Sequence, residues 1–157
     1  MKISREGRGL LKDILAIENK HYVSFGDYSV TTLLQPVRMV QLMKRHRDET
    51  ALPLSSQIAS FFGSGVHDRI EKNLKILSYM KDKDYICERS VSLDVDQRLI
   101  TGRFDILENK KKQWDIKTAK VWKKVFDPDL IEWTQQQNIY AYMLWRRGIT
   151  VESLNIL

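Results

Sequence analysis

From Ile58 to Leu77 the apolar positions Ile58, Phe62, Val66, Ile70, Leu74 and Leu77 recur at intervals of three and four, the repeat that lines one face of an α-helix. The period then shortens. Tyr85 to Val95 reads as a first strand, and Leu99 to Leu107 alternates so that Ile100, Phe104 and Ile106 lie on one side and Asp105 on the other. A polar, Lys-rich turn over Glu108 to Gln113 leads into a third strand. In that strand Asp115 and Lys117 share a reactive face, while Trp114, Ile116 and Thr118 share a buried one. The hairpin sets Asp105 near Asp115. Helical periodicity returns from Trp133 to Arg147, entered through Asp127-Pro128-Asp129 and stopped at Gly148, and Val151 to Leu157 reads as the last core strand.

The amino-terminal part is less patterned. Ser29 or Thr31 is positioned to cap a helix carrying Val40, Leu42 and Met43, with Arg38, Lys44, Arg45 and Arg47 on its polar surface. That basic surface suits either a packing helix with solvated charges or a guide for DNA. Residues 1–28 read as an arm or a short lead-in helix over Leu10 to Ile17, and 29–157 as one domain. Because the chain ends inside a strand, a native continuation beyond Leu157 is expected. No repeat or linker divides it.

The chemistry concentrates in a few positions. Two carboxylates, Asp105 and Asp115, are hard oxygen ligands suited to Mg²⁺ or Mn²⁺, ions that keep positions open for water and a substrate phosphate. Lys117 beside them can neutralise charge developing on a phosphoryl group. His67 lies on the long helix with Glu71 one turn further on, a neighbouring-face pair. Gly63 and Gly65 in the same helix each cost about 1 kcal/mol relative to alanine, which predicts close approach of another backbone or of a substrate there. Gln136 and Tyr140 stand at i and i+4 on the later helix.

In order and spacing, Gly65-Val66-His67-x-x-x-Glu71, Gly102-x-x-Asp105, Asp115-x-Lys117 and Gln136-x-x-x-Tyr140 resemble the PD-(D/E)XK nuclease superfamily. The resemblance spans about half the chain and is to the RecB-type branch, which includes phage exonucleases and the mitochondrial genome maintenance exonuclease. It implies an α/β (α+β) fold with a restriction-endonuclease-like αβββαβ core, a mixed central sheet flanked by helices, and added N-terminal helices. It also implies that His67, Asp105, Asp115 and the main-chain carbonyl of Ile116 bind the divalent metal. Lys117 would orient the attacking water and stabilise the transition state, and Gln136 and Tyr140 would contact nucleic acid or brace the site. In place of the family proline, this chain has Gly102-Arg103-Phe104 before Asp105, as is usual in this branch. The segment Asp27 to Arg38 is more loosely similar to the N-terminal part of phage nucleases of this kind.

Composition narrows the partner. A formal charge of +6 favours a polyanion. Lys110, Lys111, Lys112, Lys117, Lys120, Lys123 and Lys124 crowd one stretch, with Trp114 and Trp122 interleaved. Lys120, Lys123 and Lys124 could neutralise phosphates and Trp122 could stack on a base, whereas strand parity places Trp114 in the core. With Cys87 as the single cysteine, an internal disulfide, a cysteine zinc site and a four-cysteine iron–sulfur cluster are all excluded. Cys87 reads as a small buried residue. No membrane-length apolar run and no signal peptide is visible, so an intracellular place is expected, in the cytoplasm of a phage-infected host. The expected activity is that of a DNA exonuclease in phage-like replication, recombination or repair. A structure-specific endonuclease and a non-cleaving nucleic-acid-binding module of the same fold are the alternatives.

Overall fold

A computed structural model of the protein describes residues 2–3, 25–46, 51–52, 54–81, 83–118 and 130–157. In chain order the elements are β1 (Lys2–Ile3), β2 (Tyr28–Ser29), α1 (Val30–Leu33), α2 (Val37–Arg45), β3 (Ala51–Leu52), α3 (Leu54–Lys81), β4 (Tyr85–Val95), β5 (Arg98–Glu108), β6 (Lys112–Asp115), α4 (Ile131–Trp145) and β7 (Ser153–Ile156). They fall into two units. One comprises Met1–Phe25 and Gln35–Val66, the other Gly26–Leu34 and His67–Leu157. The anticipated lead-in helix over Leu10 to Ile17 lies outside the described residues.

In the first unit β1 pairs in parallel with β3. α2 carries Val40, Leu42 and Met43 as expected, but its start differs. Ser29, in the second unit, does cap a helix, its Oγ accepting from Thr32 N at 3.0 Å, yet that helix is the four-residue α1 of the same unit. Pro36 lacks an N–H and disfavours helical backbone at the residue before it, so α1 ends and α2 begins afresh. Lys44 and Arg45 occupy the last turn of α2, where cations suit the negative end of the helix dipole. Arg47 lies outside the described residues. The long helix α3 forms over the expected repeat, although Phe62 and Val66 are exposed. Gly65 does not mark a close approach: a Cβ built there meets nothing within 4 Å among the described residues.

The second unit is built on β5. A two-residue turn at Asp96 and Gln97, both with positive φ, joins β4 to β5 and matches the right-handed twist of a hairpin. It pairs Val95 with Arg98 and runs in step to Tyr85 with Glu108. On the other edge β5 pairs in parallel with β2 at Ile100 and Thr101, and antiparallel with β6 from Ile106 to Glu108. β7 continues the sheet parallel to β6. The order α3-β4-β5-β6-α4-β7 is the αβββαβ succession expected, a mixed sheet flanked by helices.

Val30, Val91, Phe104, Leu107, Tyr140, Met143 and Leu144 form the buried cluster between sheet and helices. Removing such side chains from water is worth about 1.5–3 kcal/mol for each large aliphatic or aromatic group. Trp114 is not in this core. It is half-buried, and its indole N–H donates to Glu108 Oε2 at 3.2 Å, while its strand neighbours Gln113 and Asp115 are the buried ones. On the face expected to be buried, Ile116 is buried, Trp114 half-buried and Thr118 exposed, while Gln113 and Asp115 on the polar face are buried as well, because that face is also covered. Cys87 is a free thiol and half-buried. α4 ends as expected, with Gly148 at φ +78°. Its expected entry, Asp127-Pro128-Asp129, lies outside the described residues. No helix among the described residues is long and apolar enough to cross a membrane.

Two glycines test the packing in opposite directions. A Cβ at Gly102 would come 2.5 Å from Tyr140 Cε1 and 2.8 Å from Val30 Cγ2. Gly102→Ala should therefore destabilise by about 1–3 kcal/mol through overpacking. Gly65→Ala, in an open helix interior, should stabilise by up to about 1 kcal/mol. Urea unfolding of both variants checks this, and a Gly102→Ala protein as stable as wild type would refute the packing described.

Candidate metal centre

The hairpin register sets out the site. Cys87 pairs with Ile106 and Arg89 with Phe104, so Glu88 stands opposite Asp105 between them. Glu88 has φ +48°, and the ladder is interrupted at that one step. Counting on from Ile106 with Trp114 places Asp105 opposite Asp115, at the point where β6 leaves the ladder. Residues opposite one another share a face, so Glu88, Asp105 and Asp115 form a row across three strands.

α3 supplies the histidine. One ring nitrogen of His67, Nε2, lies 3.1 Å from the main-chain oxygen of Ile116, and the other, Nδ1, lies 3.1 Å from Glu88 Oε1 and 3.8 Å from Asp105 Oδ2. Asp105 Oδ2 accepts from Ile116 N at 2.6 Å. Ile116 thus turns its carbonyl to the histidine and its N–H to the aspartate. Ligand atoms of His67, Glu88 and Asp105 all lie within 4.8 Å of one another.

Asp115 is beside this triad rather than in it. Only 2% exposed, it pairs with Lys117 Nζ at 2.9 Å, and the same ammonium donates to Gln136 Oε1 at 2.9 Å. The ammonium is the positive partner of the buried Asp115 Oδ2. Tyr140 completes the chain of contacts from below, its hydroxyl bonded to Gln136 and to the Arg103 main chain. Burial pushes the Tyr140 phenol up from its ordinary value. At 4% exposure Tyr140 presents no surface to a nucleic acid, so of its two expected roles only bracing fits.

Of the residues singled out from sequence, His67, Asp105, Ile116, Asp115, Lys117, Gln136 and Tyr140 are brought together. Glu71 is not: it pairs with Lys75 at 2.8 Å along its own helix. Glu88 takes the place expected of a helical acid, and counting back from the Asp96-Gln97 turn would have found it. Lys112 begins β6, about 10 Å from Asp115 at roughly 3.3 Å per residue, and Lys110 and Lys111 lie in the turn before it, Lys111 paired with Glu152. Lys120, Trp122, Lys123 and Lys124 lie outside the described residues.

The donor set fits a divalent cation. A neutral imidazole has one N–H, so it can donate to only one of the oxygens that face its two nitrogens. The remaining nitrogen then presents a lone pair toward oxygen lone pairs, a repulsion that a cation between them turns into attraction. One imidazole with carboxylates and a carbonyl is a combination that Mn²⁺ and Mg²⁺ accept.

No protein-family model matches the sequence, and no curated protein matches it. Among solved structures the chain is similar to the crystal structure of SSO0001, with 22% identity and a TM-score of 0.60. The alignment covers 86% of this chain and 64% of that one, so this chain spans somewhat under two thirds of its neighbour's length. At that identity the likeness is one of fold, the mixed α/β architecture described above.

Burial is the main force raising the Asp105 and Asp115 carboxyls above the ordinary aspartate value, against the N–H of Ile116 at Asp105 and Lys117 at Asp115. A raised folded-state value means that these two groups contribute stability below the ordinary aspartate value and lose it as pH rises through the raised ones. In chelator, their share of stability should therefore grow on acidification across that window. A divalent cation needs both groups ionised, so its stabilising effect should shrink across the same window. Thermal unfolding against pH, in wild type and Asp105→Asn, with chelator or with Mn²⁺, checks both trends. A Mn²⁺ stabilisation independent of pH would contradict the assignment.

Proposed function

We propose that this chain is a metal-dependent deoxyribonuclease with the site logic of the PD-(D/E)XK superfamily, acting from DNA ends. The observation that supports it most is the convergence at the end of β6. There Asp115 and Lys117 flank the Ile116 carbonyl, with Asp105 and His67 closing on the same peptide unit. Phosphodiester hydrolysis needs an acidified water, a place for the anionic phosphate and a cation near its developing charge. These residues supply the framework for each.

His67, Asp105, Asp115 and the Ile116 carbonyl would hold Mg²⁺ or Mn²⁺. The ion, when bound, supplies Lewis-acid neutralisation and lowers the pKa of water. Asp105 is fixed by the Ile116 N–H, so its second oxygen stays directed by the strand. Lys117 is held by Gln136 and Asp115, which keeps its ammonium beside the carboxylates instead of in bulk solvent. A positioned ammonium stabilises phosphoryl charge without moving in the reaction, and Gln136, itself held by Tyr140, limits its wandering. The formal charge of +6 suits a polyanionic substrate. Action in phage-like replication, recombination or repair is part of the same proposal and follows from the resemblance alone.

Linear, closed-circular and single-stranded DNA, labelled at either end and incubated with Mg²⁺, Mn²⁺ or chelator, form the test. Cleavage should require the ion, degrade the linear duplex progressively and spare the circle, whereas rapid nicking of the circle would favour a structure-specific endonuclease. Asp115→Asn should abolish cleavage with the fold retained, and Lys117→Ala should lose about a hundredfold or more in turnover while still binding metal. Full activity in chelator, or in Asp115→Asn, would overturn the proposal. DNA binding without any cleavage would favour a non-cleaving module.

A further inference from the structure

We propose that Glu88, on β4, is a ligand of the same cation, and that Arg103 competes with the ion for its carboxylate. The inference rests on the metal-site reading above and adds to it a residue outside the motif pattern. Glu88 is set opposite Asp105 by the hairpin turn, and its Oε1 is 3.1 Å from His67 Nδ1. The ligand atoms of His67, Glu88 and Asp105 are spaced within 4.8 Å. Ligands about 2.1 Å from an octahedral ion lie about 3.0 Å apart when adjacent and about 4.2 Å apart when opposite. The triad needs only a small contraction to meet that spacing.

The arrangement has a specific chemical sense. If the imidazole is neutral and donates from Nε2 to the Ile116 carbonyl, Nδ1 turns a lone pair toward two carboxylates, which is a chelate awaiting a cation. With one nitrogen and several oxygens, such a site favours Mn²⁺ over the strictly oxygen-seeking Mg²⁺.

Arg103 holds the other oxygen of Glu88, with Nε to Oε2 at 2.9 Å. An exposed pair of this kind is worth at most about 1 kcal/mol. Left-handed backbone at a non-glycine residue costs roughly 1–2 kcal/mol, so the pair alone does not account for a glutamate held at φ +48°. Arg103 is also two residues before Asp105 on β5, hence on its face of the strand. The guanidinium on Oε2 and an ion on Oε1 share one carboxylate, so the two cations compete for its charge without exchanging places, and each weakens the other's hold on Glu88.

Calorimetric titration of Mn²⁺ into the full chain without DNA tests this. Glu88→Gln should lower Mn²⁺ affinity at least tenfold, and Arg103→Ala should raise it severalfold by removing the competitor. Unchanged Mn²⁺ affinity in Glu88→Gln overturns the ligand assignment, and an Arg103→Ala protein that binds no tighter than wild type overturns the competition. Arg103→Ala leaves Glu88 in place, so its result stands even if Glu88→Gln fails to fold in a chelator melt. The two readings fail separately. A wild-type chain that binds no Mn²⁺ and cuts no DNA removes the nuclease proposal, whereas one that binds and cuts, with Glu88→Gln binding equally well, removes only this inference.

Discussion

Two carboxylates withdrawn from water on adjacent strands cost free energy in proportion to how poorly their charge is met, and the surroundings of Asp105 and Asp115 are arranged around that cost. Asp105 is met by a main-chain N–H, Asp115 by an ammonium. The ammonium needs its own support and takes it from Gln136; Gln136 leans on Tyr140, and Tyr140 packs over Gly102, where any side chain would collide with it. A line of contacts thus runs from the charged site into the apolar core. Disturbing the core at Gly102 and disturbing the lysine at the site act on one connected structure.

The backbone carries the same economy of parts. Ile116 serves both of its polar groups to the site. On the far side of β6, Leu157 accepts from Lys117 N and donates to Asp115 O, while Asn155 bonds Gln113 O and is itself engaged by Gln137 from α4. The strand that bears Asp115 and Lys117 is therefore fixed on both sides, through side chains on one and the ladder on the other. A rigid strand end is what a site needs if small displacements of a reacting group are costly.

Much of this was legible in the chain. The change of period from three-and-four to two separated α3 from β4 and β5, and Gly148 marked the end of α4, because these signals are local and carry their own geometry. The αβββαβ order followed from them. What local patterns could not convey was tertiary cover. The burial of Asp115 above Trp114 depends on what packs over β6, and the expectation of one helix capped at Ser29 or Thr31 left the break at Pro36 out of account. Gly65, expected to admit a neighbour, meets none within 4 Å among the described residues. Glu88 escaped notice for another reason: no motif contains it, and it becomes visible only when register is counted from the turn.

That turn has a consequence for how the protein can vary. A strand places alternate residues on opposite faces, so the Asp96-Gln97 connection acts as a parity setting for the whole of β4. Adding or removing one residue between Val95 and Arg98, if β4 slid to compensate, would put Cys87 or Arg89 where Glu88 now meets Asp105, and an uncharged or cationic group would enter the acidic row. A change of two residues would preserve the faces but offer Ile86 or Ser90 instead. Length at this distant loop, on the surface and without chemistry of its own, is thereby as constrained as the identity of the acids it aligns.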